Sequence, residues 1–226
     1  KDREVELKDI NGKILTDSEG KVIKVKGTKE MREKGEVISN AKYFGKVYGH
    51  TIGTAYGYIV KRFQLIDNLI YKLQNTPNDR RMVMSLWQDG FLKSAVLPSC
   101  VWSSEWDVTD GKLNAWVHQR SCDVPLGLPF NVTQYSVLLN MLAKQTGLKP
   151  GTLDWSIKDA HIYVNQIDGI KEQIRRGEEL EDLKAPELWL NPDIDNFYDY
   201  DNSKDCKDVK LKNYKHHGPI RFKLTQ

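Results

Sequence analysis

A turn and a strand are predicted by Thr109-Asp-Gly-Lys-Leu-Asn-Ala-Trp-Val-His-Gln119, near the middle of the chain. Asp-Gly is a strong signal for a tight hairpin turn. After it, Leu113, Ala115 and Val117 occupy alternate positions, so their side chains share one face of a strand. The pattern predicts a strand from Gly111 to Gln119 after the turn at Thr109-Asp-Gly.

Further strands and helices are predicted on both sides of this hairpin. Apolar steps of three and four predict an amphipathic helix from Tyr58 to Asn75, which Pro77 stops. A second helix is predicted from Val132 to Thr146, with Asn131 or Thr133 as its cap and Gly147 as its stop. Because strands cluster in mid-chain and are interrupted by helices, we expect an α+β fold, a mixed β-sheet with flanking helices. The other predicted strands are 82–87, 100–108, 155–164, 208–214 and 220–224, and a short helix is predicted over 168–176.

Composition predicts one soluble globular domain. The chain has 226 residues, of which 39% are hydrophobic and 29% charged, enough for a substantial core. The net charge of +3 is too balanced for a general nucleic-acid or membrane binder. Cys100, Cys122 and Cys206 form an odd set without a CxxC pair, and we see no apolar run that suits a signal peptide or a membrane span. The cytoplasm is therefore the expected location.

The first fifty residues differ from the rest in being dominated by Lys, Glu, Asp and Gly. Turn signals stand at Asn11-Gly12 and Glu19-Gly20. Ile14-Leu15 and Val22-Ile-Lys-Val-Lys26 could form a hairpin across the second turn, and a solvated charged linker is the alternative. We divide the chain into a charged N-terminal hairpin or insertion over 1–50 and a main domain over 51–226.

Four short motifs carry the chemistry: Leu97-Pro-Ser-Cys100, Gln119-Arg-Ser-Cys-Asp123, Leu126-Gly-Leu-Pro-Phe-Asn131 and Asp159-Ala-His-Ile-Tyr163. In order they supply a thiol, an arginine with a serine, an asparagine, and a His-x-Tyr pair. An isolated cysteine is more often a buried apolar residue than a nucleophile. Together, however, these groups could hold a nucleotide by its phosphate, base and sugar while a thiolate attacks the base.

Each motif has a chemical rationale. Arg120 and Ser121 offer forked donors and a hydroxyl for a phosphate, and a guanidinium near Cys100 would favour the thiolate. Asn131 carries a donor and an acceptor that can pair with the carbonyl and ring N–H of uracil, although an asparagine before a helix is otherwise a cap. His161 and Tyr163, two apart on a predicted strand, face the same side.

With Asp79-Arg-Arg81 upstream, these motifs closely resemble the folate-dependent thymidylate synthase family, from about Gly53 to near the C-terminus. The resemblance implies the family's fold and reductive methylation of dUMP to dTMP. In that reaction Cys100 would attack carbon 6 of the pyrimidine, and methylenetetrahydrofolate would supply the one-carbon unit and the hydride.

The resemblance also implies roles for individual residues. Arg80 and Arg81 would reach across the interface of a homodimer, formed by the sheet, into the partner's site. Tyr56 would help to position the thiol, with Tyr48 as a competing match. His161 and Tyr163 would hold the sugar hydroxyl. The residues implied to contact folate are Asp123, which we also place at the substrate, Gly127 and Phe130.

No metal is expected, because His216-His217 lacks carboxylates or cysteines at ligand spacing. Two departures from the family stand out. Val101 follows the nucleophile where His is common, and the family's N-terminal phosphate-binding arginine, catalytic glutamate and tryptophan pair are not recognisable before Gly53. Because the chain begins at Lys1 without Met, we hypothesise a fragment in which 1–50 is an insertion.

Two alternative functions remain open. One is a pyrimidine nucleotide hydroxymethylase of the same fold, in which water replaces the hydride. The other is a non-catalytic nucleotide-binding or RNA-binding module, which the missing N-terminal segment and the lysine-rich first forty residues would support.

Overall fold

The computed structural model describes residues 4–6, 14, 16, 20–22, 24–26, 54–95, 97–201, 203 and 205–224. The chain forms two compact units. The first comprises Lys1–Ile66 and Ser85–Trp102, and the second comprises Asp67–Met84 and Ser103–Gln226. The division into 1–50 and 51–226 stays a prediction.

Helices and strands alternate irregularly along the described residues. The α-helices are α1 Tyr56–Arg62, α2 Leu65–Asn75, α3 Gly127–Thr146 and α4 Ile167–Glu179. Short 3-10 helices occupy Asp89–Ser94, Val164–Gln166 and Phe197–Asp199. The strands are β1 Glu4–Glu6, β2 Lys24–Lys26, β3 Val83–Ser85, β4 Val101–Thr109, β5 Lys112–Gln119, β6 Cys122–Asp123, β7 Lys149–Ile157, β8 Ala160–His161, β9 Glu187–Leu190 and β10 Val209–Lys212.

The main sheet has the strand order β3-β4-β5-β7. Asp110 (φ 51°) and Gly111 (φ 70°) join β4 to β5, and their positive φ values are those of a two-residue hairpin turn. This hairpin confirms the turn predicted at Asp110-Gly111. β5 and β7 pair in parallel, since α3 carries the chain back to the starting edge between them. The sheet is therefore mixed and has flanking helices, as predicted.

The core of the second unit lies between α3 and the sheet. Leu113 and Val117 on β5 are fully buried, as are Leu142 and Ala143 on α3. The helix packs against both β5 and β7. Burial of one leucine side chain contributes about 2 kcal/mol. The alternation read from the sequence thus gives β5 its buried face, and Gly147 (φ 69°) ends α3 in the left-handed conformation as predicted.

The first unit has its own small core around α1. Ile59 is buried, with 2% of its surface exposed. The Phe91 ring in the first 3-10 helix contacts Tyr58 and Phe63, with ring centroids 5.5 and 5.9 Å apart. Thr54 Oγ1 donates to the Phe91 carbonyl at 2.8 Å. These contacts fix the start of α1 beside the 89–94 turn.

Three predicted elements differ from the structure by more than a shift of their ends. The helix predicted over 58–75 is two helices, because Gln64 adopts a left-handed φ of 50° between α1 and α2. The strand predicted over 155–164 is replaced by β7, which ends at Ile157, and the two-residue β8. Residues 220–224 form no strand. Instead the Phe222 ring lies close to Gly169, and Gln166 Nε2 donates to the Lys223 carbonyl at 3.3 Å.

The predicted cap of α3 is also wrong. The helix begins at Gly127, so Asn131 and Thr133 lie inside it. Asp123 Oδ1 accepts a hydrogen bond from the Leu126 N–H at 3.1 Å and satisfies one of the amides ahead of the helix. The side chain of Asn131 is therefore available for another role.

The N-terminal region is described only in part. Thr16 and Val22 form an antiparallel bridge, and β1 pairs antiparallel with β2. Glu19 lies outside the described residues, so the hairpin across Glu19-Gly20 stays a prediction. The Asn11-Gly12 turn lies outside the described residues. Among the residues that are described, no helix has both the length and the apolar character to cross a membrane.

Candidate active site

Cys100 lies in the first unit, one residue before β4. Its backbone N–H donates to the Tyr56 hydroxyl at 2.8 Å. Ser99 beside it is buried, and its hydroxyl donates to the Leu86 carbonyl at 3.3 Å. The structure thus brings Tyr56 and Cys100 together and fixes the backbone that carries the thiol. Tyr48, the competing match, lies outside the described residues.

A chain of side-chain hydrogen bonds ends at Asn131 in the second unit. Trp155 Nε1 donates to Gln119 Oε1 at 2.9 Å. Gln119 Nε2 in turn donates to Asn131 Oδ1 at 3.1 Å and to the Ser121 carbonyl at 2.9 Å. An indole N–H can only donate, so it fixes which end of Gln119 is the acceptor, and Gln119 then fixes the amide of Asn131. Arg120 and Ser121 follow directly on β5 and are half-buried.

The His161 and Tyr163 motif lies beside the Cys122–Asp123 motif. β6 and β8 pair in parallel, with Asp123 opposite His161. The rings of His161 and Tyr163 meet edge to face with centroids 5.1 Å apart, so the two side chains are neighbours as predicted. His161 Nδ1 lies 3.5 Å from Asp159 Oδ1. Of the buried side-chain nitrogen and oxygen atoms in the described residues, only His161 Nδ1 lacks a hydrogen-bond partner.

Of the three residues implied to contact folate, Asp123 and Gly127 lie close to each other, and Phe130 lies on the same helix as Gly127. A side chain placed on Gly127 would come within 3.8 Å of Asp123 Cβ and 3.7 Å of Asn131 Oδ1. Phe130, on the first turn of α3, is 76% exposed. An exposed aromatic ring is a surface on which a flat, polar ring system can stack.

Arg80 and Arg81 occupy an exposed turn between α2 and β3. The Arg81 side chain is 88% exposed, and its Nε lies 3.0 Å from Asp79 Oδ1. Lys72 Nζ lies 3.1 Å from Asp79 Oδ2. Hydrogen bonds from Arg81 and then Lys72 lower the pKa of Asp79 to about 2. Arg81 bonds to Asp79 in the same turn, and its carbonyl accepts from Lys72 Nζ on α2 at 2.7 Å.

Sequence reasoning missed Gln119 and Gln166. Gln119 continues the inward positions of β5 after Leu113, Ala115 and Val117, and is only 3% exposed. A polar residue at an inward position was a signal that could have been used. Gln166 has no such periodic signal, because it ends a 3-10 turn. Within the described part of the chain, no three His, Cys, Asp or Glu side chains converge as a metal site.

Comparison with known proteins decides the family. The family model described as "Thymidylate synthase" matches residues 13–226. The chain belongs to the thymidylate synthase family. Thymidylate synthase of Clostridium beijerinckii is 51% identical over 175 residues, which cover 77% of this chain and 64% of that protein. Thymidylate synthase 1 of Bacillus spizizenii is 39% identical over 184 residues, which cover 77% of this chain and 63% of the relative.

The solved thermostable thymidylate synthase A of Bacillus subtilis shares the fold. It superimposes with a TM-score of 0.72 at 36% identity, over 86% of this chain and 69% of that structure. The mixed sheet with flanking helices is therefore the thymidylate synthase fold, as the motifs implied. The chain spans slightly less than two thirds of the length of these two curated relatives, 64% and 63%.

Proposed function

We propose that the protein is a thymidylate synthase that methylates dUMP to dTMP in the cytoplasm. Methylenetetrahydrofolate would provide both the one-carbon unit and the hydride. Membership of the thymidylate synthase family supports the reaction. The hydrogen bonds that link Trp155, Gln119 and Asn131 support dUMP as the substrate. Each other proposed residue role rests on its motif together with the geometry of its own unit.

The orientation of Asn131 fits uracil and opposes cytosine. Uracil presents a carbonyl at C4 and a donor at N3, which match Asn131 Nδ2 and the second lone pair of Oδ1. Cytosine presents an amino group and an acceptor, so the amide would have to rotate end for end. Rotation would place Nδ2 against Gln119 Nε2, two donors at a separation that now stands at 3.1 Å. The site therefore favours dUMP over dCMP.

Cys100 is the proposed nucleophile. Its thiolate adds to carbon 6 of dUMP, and the electron pair moved to carbon 5 attacks the methylene carbon of the folate. As carbon 5 attacks, the bond from the methylene carbon to one folate nitrogen would open. The proton on carbon 5 would then pass to a base or to water, and the bond to the second nitrogen would break, which leaves an exocyclic methylene on the pyrimidine. Tetrahydrofolate would transfer hydride to that methylene, and expulsion of the thiolate would give dTMP and dihydrofolate. Tyr56 contributes by holding the backbone of Cys100. Arg120 and Ser121 bind the phosphate, and His161 and Tyr163 bind the sugar hydroxyl.

A homodimer is part of the proposal. Trp116 on β5 is 51% exposed on the sheet face opposite Leu113 and Val117, and Val83 on β3 is also 51% exposed. An exposed tryptophan and valine on an open sheet face are typical of a protein interface. Arg80 and Arg81 extend from the turn before β3 and are exposed, as arginines that enter a partner's site must be.

Covalent trapping tests the reaction. We expect 5-fluoro-dUMP and methylenetetrahydrofolate to form an adduct that is visible in the intact mass of the full chain, and Cys100→Ser to abolish it. The serine variant should bind dUMP nearly as well as the unmodified chain, because the thiol acts mainly in the reaction. Lost dUMP affinity in that variant would make Cys100 structural. Analysis of the product distinguishes dTMP from a hydroxymethylated nucleotide.

A further inference from the structure

We infer that Gln166 is a positioning residue that aims the Asp123 carboxylate at the folate and links that carboxylate to the C-terminal segment. The inference rests on the proposed function. Gln166 is 1% exposed, one of the most deeply buried side chains of the second unit, and it is polar. A buried amide must have its donors and acceptor satisfied, so its partners define its role.

The amide nitrogen of Gln166 makes two bonds to different parts of the unit. It donates to Asp123 Oδ2 at 3.0 Å and to the Lys223 carbonyl at 3.3 Å. The other oxygen of the carboxylate, Asp123 Oδ1, accepts from the Leu126 N–H at 3.1 Å. With one bond on each oxygen, the plane of the carboxylate is fixed, and two lone-pair sites remain for a ligand.

The amide oxygen of Gln166 makes the third bond. It accepts from the Tyr163 N–H at 3.1 Å, at the residue proposed to hold the sugar hydroxyl. One side chain therefore contacts β6, the segment after β8 and the C-terminal segment. The amide nitrogen can only donate and the amide oxygen can only accept. The bonds to Asp123 and to Tyr163 therefore fix a single rotamer of Gln166.

The C-terminal segment is held near Gln166 by two further contacts. The Phe222 ring is so close to Gly169 that a Cβ there would lie 2.5 Å from Cε1. Arg176 Nη1 donates to the His217 and Gly218 carbonyls at 3.1 and 2.9 Å. Residues 217–223 thus lie along α4, and Gln166 joins this segment to Asp123. Displacing the segment would remove one of the partners that hold the Gln166 amide.

A substitution that replaces only the amide nitrogen of Gln166 distinguishes a role in positioning Asp123 from a role in folding. Gln166→Glu keeps an oxygen for the Tyr163 N–H but places a second oxygen against Asp123 and the Lys223 carbonyl. Gln166→Met has similar length and removes all three bonds. Gln173→Glu makes the same chemical change at an exposed position of α4 and is the matched control.

The measurement is calorimetric titration of the full chain with dUMP, followed by tetrahydrofolate added to the dUMP-saturated protein. For Gln166→Glu we expect dUMP affinity within about two-fold of the unmodified chain and folate affinity at least about ten-fold weaker near pH 8. The folate loss should shrink towards about pH 6, because protonation restores a donor to the introduced carboxyl. Cys122 and Asp123 on β6, His161 on β8, and Tyr163 and Lys223 are the other ionisable residues around Gln166. They are common to all variants, so the control gives their baseline.

Three outcomes overturn the inference. Equal loss of both ligands without pH dependence would mean that Gln166 only supports the fold, and no loss of either would mean that Asp123 needs no help. Loss of dUMP affinity alone would assign Gln166 to the sugar side of the site. If Gln166→Glu unfolds, Gln166→Met must then weaken folate more than dUMP. An unmodified chain that binds neither ligand refutes the proposed function itself, whereas normal binding by that chain and by Gln166→Glu refutes only the positioning role.

Discussion

Gln119→Glu should change the base preference of the protein. The substitution leaves an oxygen for the Trp155 indole, now 2.9 Å from Oε1, but it replaces the amide nitrogen with a second acceptor. That acceptor would face Asn131 Oδ1 at 3.1 Å and the Ser121 carbonyl at 2.9 Å. Asn131 can relieve the repulsion by rotating end for end, so that its Nδ2 donates to the introduced carboxylate.

The expected loss of dUMP affinity follows from the hydrogen bonds that change when the Asn131 amide rotates. A rotated Asn131 presents Oδ1 to the uracil carbonyl and Nδ2 to its N3–H, so two base bonds are lost and two like groups face each other. At about 1 kcal/mol for each of the two lost bonds and about 1 to 3 kcal/mol for an unsatisfied group, the cost is about 3 to 5 kcal/mol, so dUMP affinity should fall roughly 150- to 5,000-fold. dCMP should gain affinity, because its amino group meets Oδ1 and its N3 meets Nδ2.

Calorimetric titration with dUMP and dCMP at rising pH from about 7 to about 9 gives the test, because burial raises the pKa of the introduced carboxyl and only its ionised form lacks a donor. Trp155→Phe is the comparison variant. It removes the donor that fixes Gln119, so discrimination should decrease without reversing. If Gln119→Glu keeps the unmodified preference for dUMP over dCMP, the hydrogen-bond chain does not orient Asn131, and the reasoning is wrong.

Three further predictions concern stability. Leu142→Ala should lower the free energy of unfolding by about 2 to 5 kcal/mol in denaturant titration, because the fully buried side chain leaves a cavity. Gly151→Ala should cost about 1 to 3 kcal/mol, because its Cβ would lie 2.1 Å from Asn114 Oδ1 and 2.8 Å from a backbone carbonyl. Asp79→Asn should make the free energy of unfolding depend less on pH below about pH 4. The pKa of Asp79 is lowered from 3.8 to about 2 in the folded state, so its contribution to stability is present above about pH 4 and is lost as the pH falls through about 2.

Matched variants separate these effects from general damage. Leu224→Ala changes a leucine that is 84% exposed and should leave unfolding unchanged within about 0.5 kcal/mol. Gly177→Ala in α4 meets nothing within 4 Å and should be neutral or slightly stabilising. Equal losses at Gly177 and Gly151 would contradict the steric argument. An unchanged slope between about pH 4 and about pH 2 in Asp79→Asn would show that the exposed turn contributes nothing measurable.

Local signals predicted most of the main sheet. The positive φ of Asp110 and Gly111 and the alternation of Leu113, Ala115 and Val117 are properties of short segments, so they could be read without the rest of the chain. The break at Gln64 could not be predicted in this way. No glycine or proline marks it, and the side chains that hold α1 there include Phe91, which lies 27 residues away in sequence.

The same distinction applies to the site. Cys100, Asn131, His161 and Tyr163 could be named because each lies in a motif that resembles the family. Tyr56 has Tyr48 as a competing match in the sequence, and its bond to the Cys100 N–H joins residues 44 positions apart. The partners that orient these groups were missed because their roles depend on distant contacts. The bond from Trp155 to Gln119 spans 36 positions, and the bond from Gln166 to Asp123 spans 43.

Glutamine at both of these positions has a physical reason. A carboxylate offers only acceptors and an ammonium only donors, so neither could join a donor on one side to an acceptor on the other. Gln119 stands between an indole N–H and an amide oxygen, and Gln166 stands between a backbone N–H and a carboxylate. In each case the neutral amide fixes the orientation of the next side chain. It adds no charge to a buried position, where an unpaired charge would be costly. Glutamate at either position should therefore weaken ligand binding more than methionine does, even though glutamate keeps one more hydrogen bond. The affected ligand is the nucleotide bound by Asn131 for position 119 and the folate bound by Asp123 for position 166.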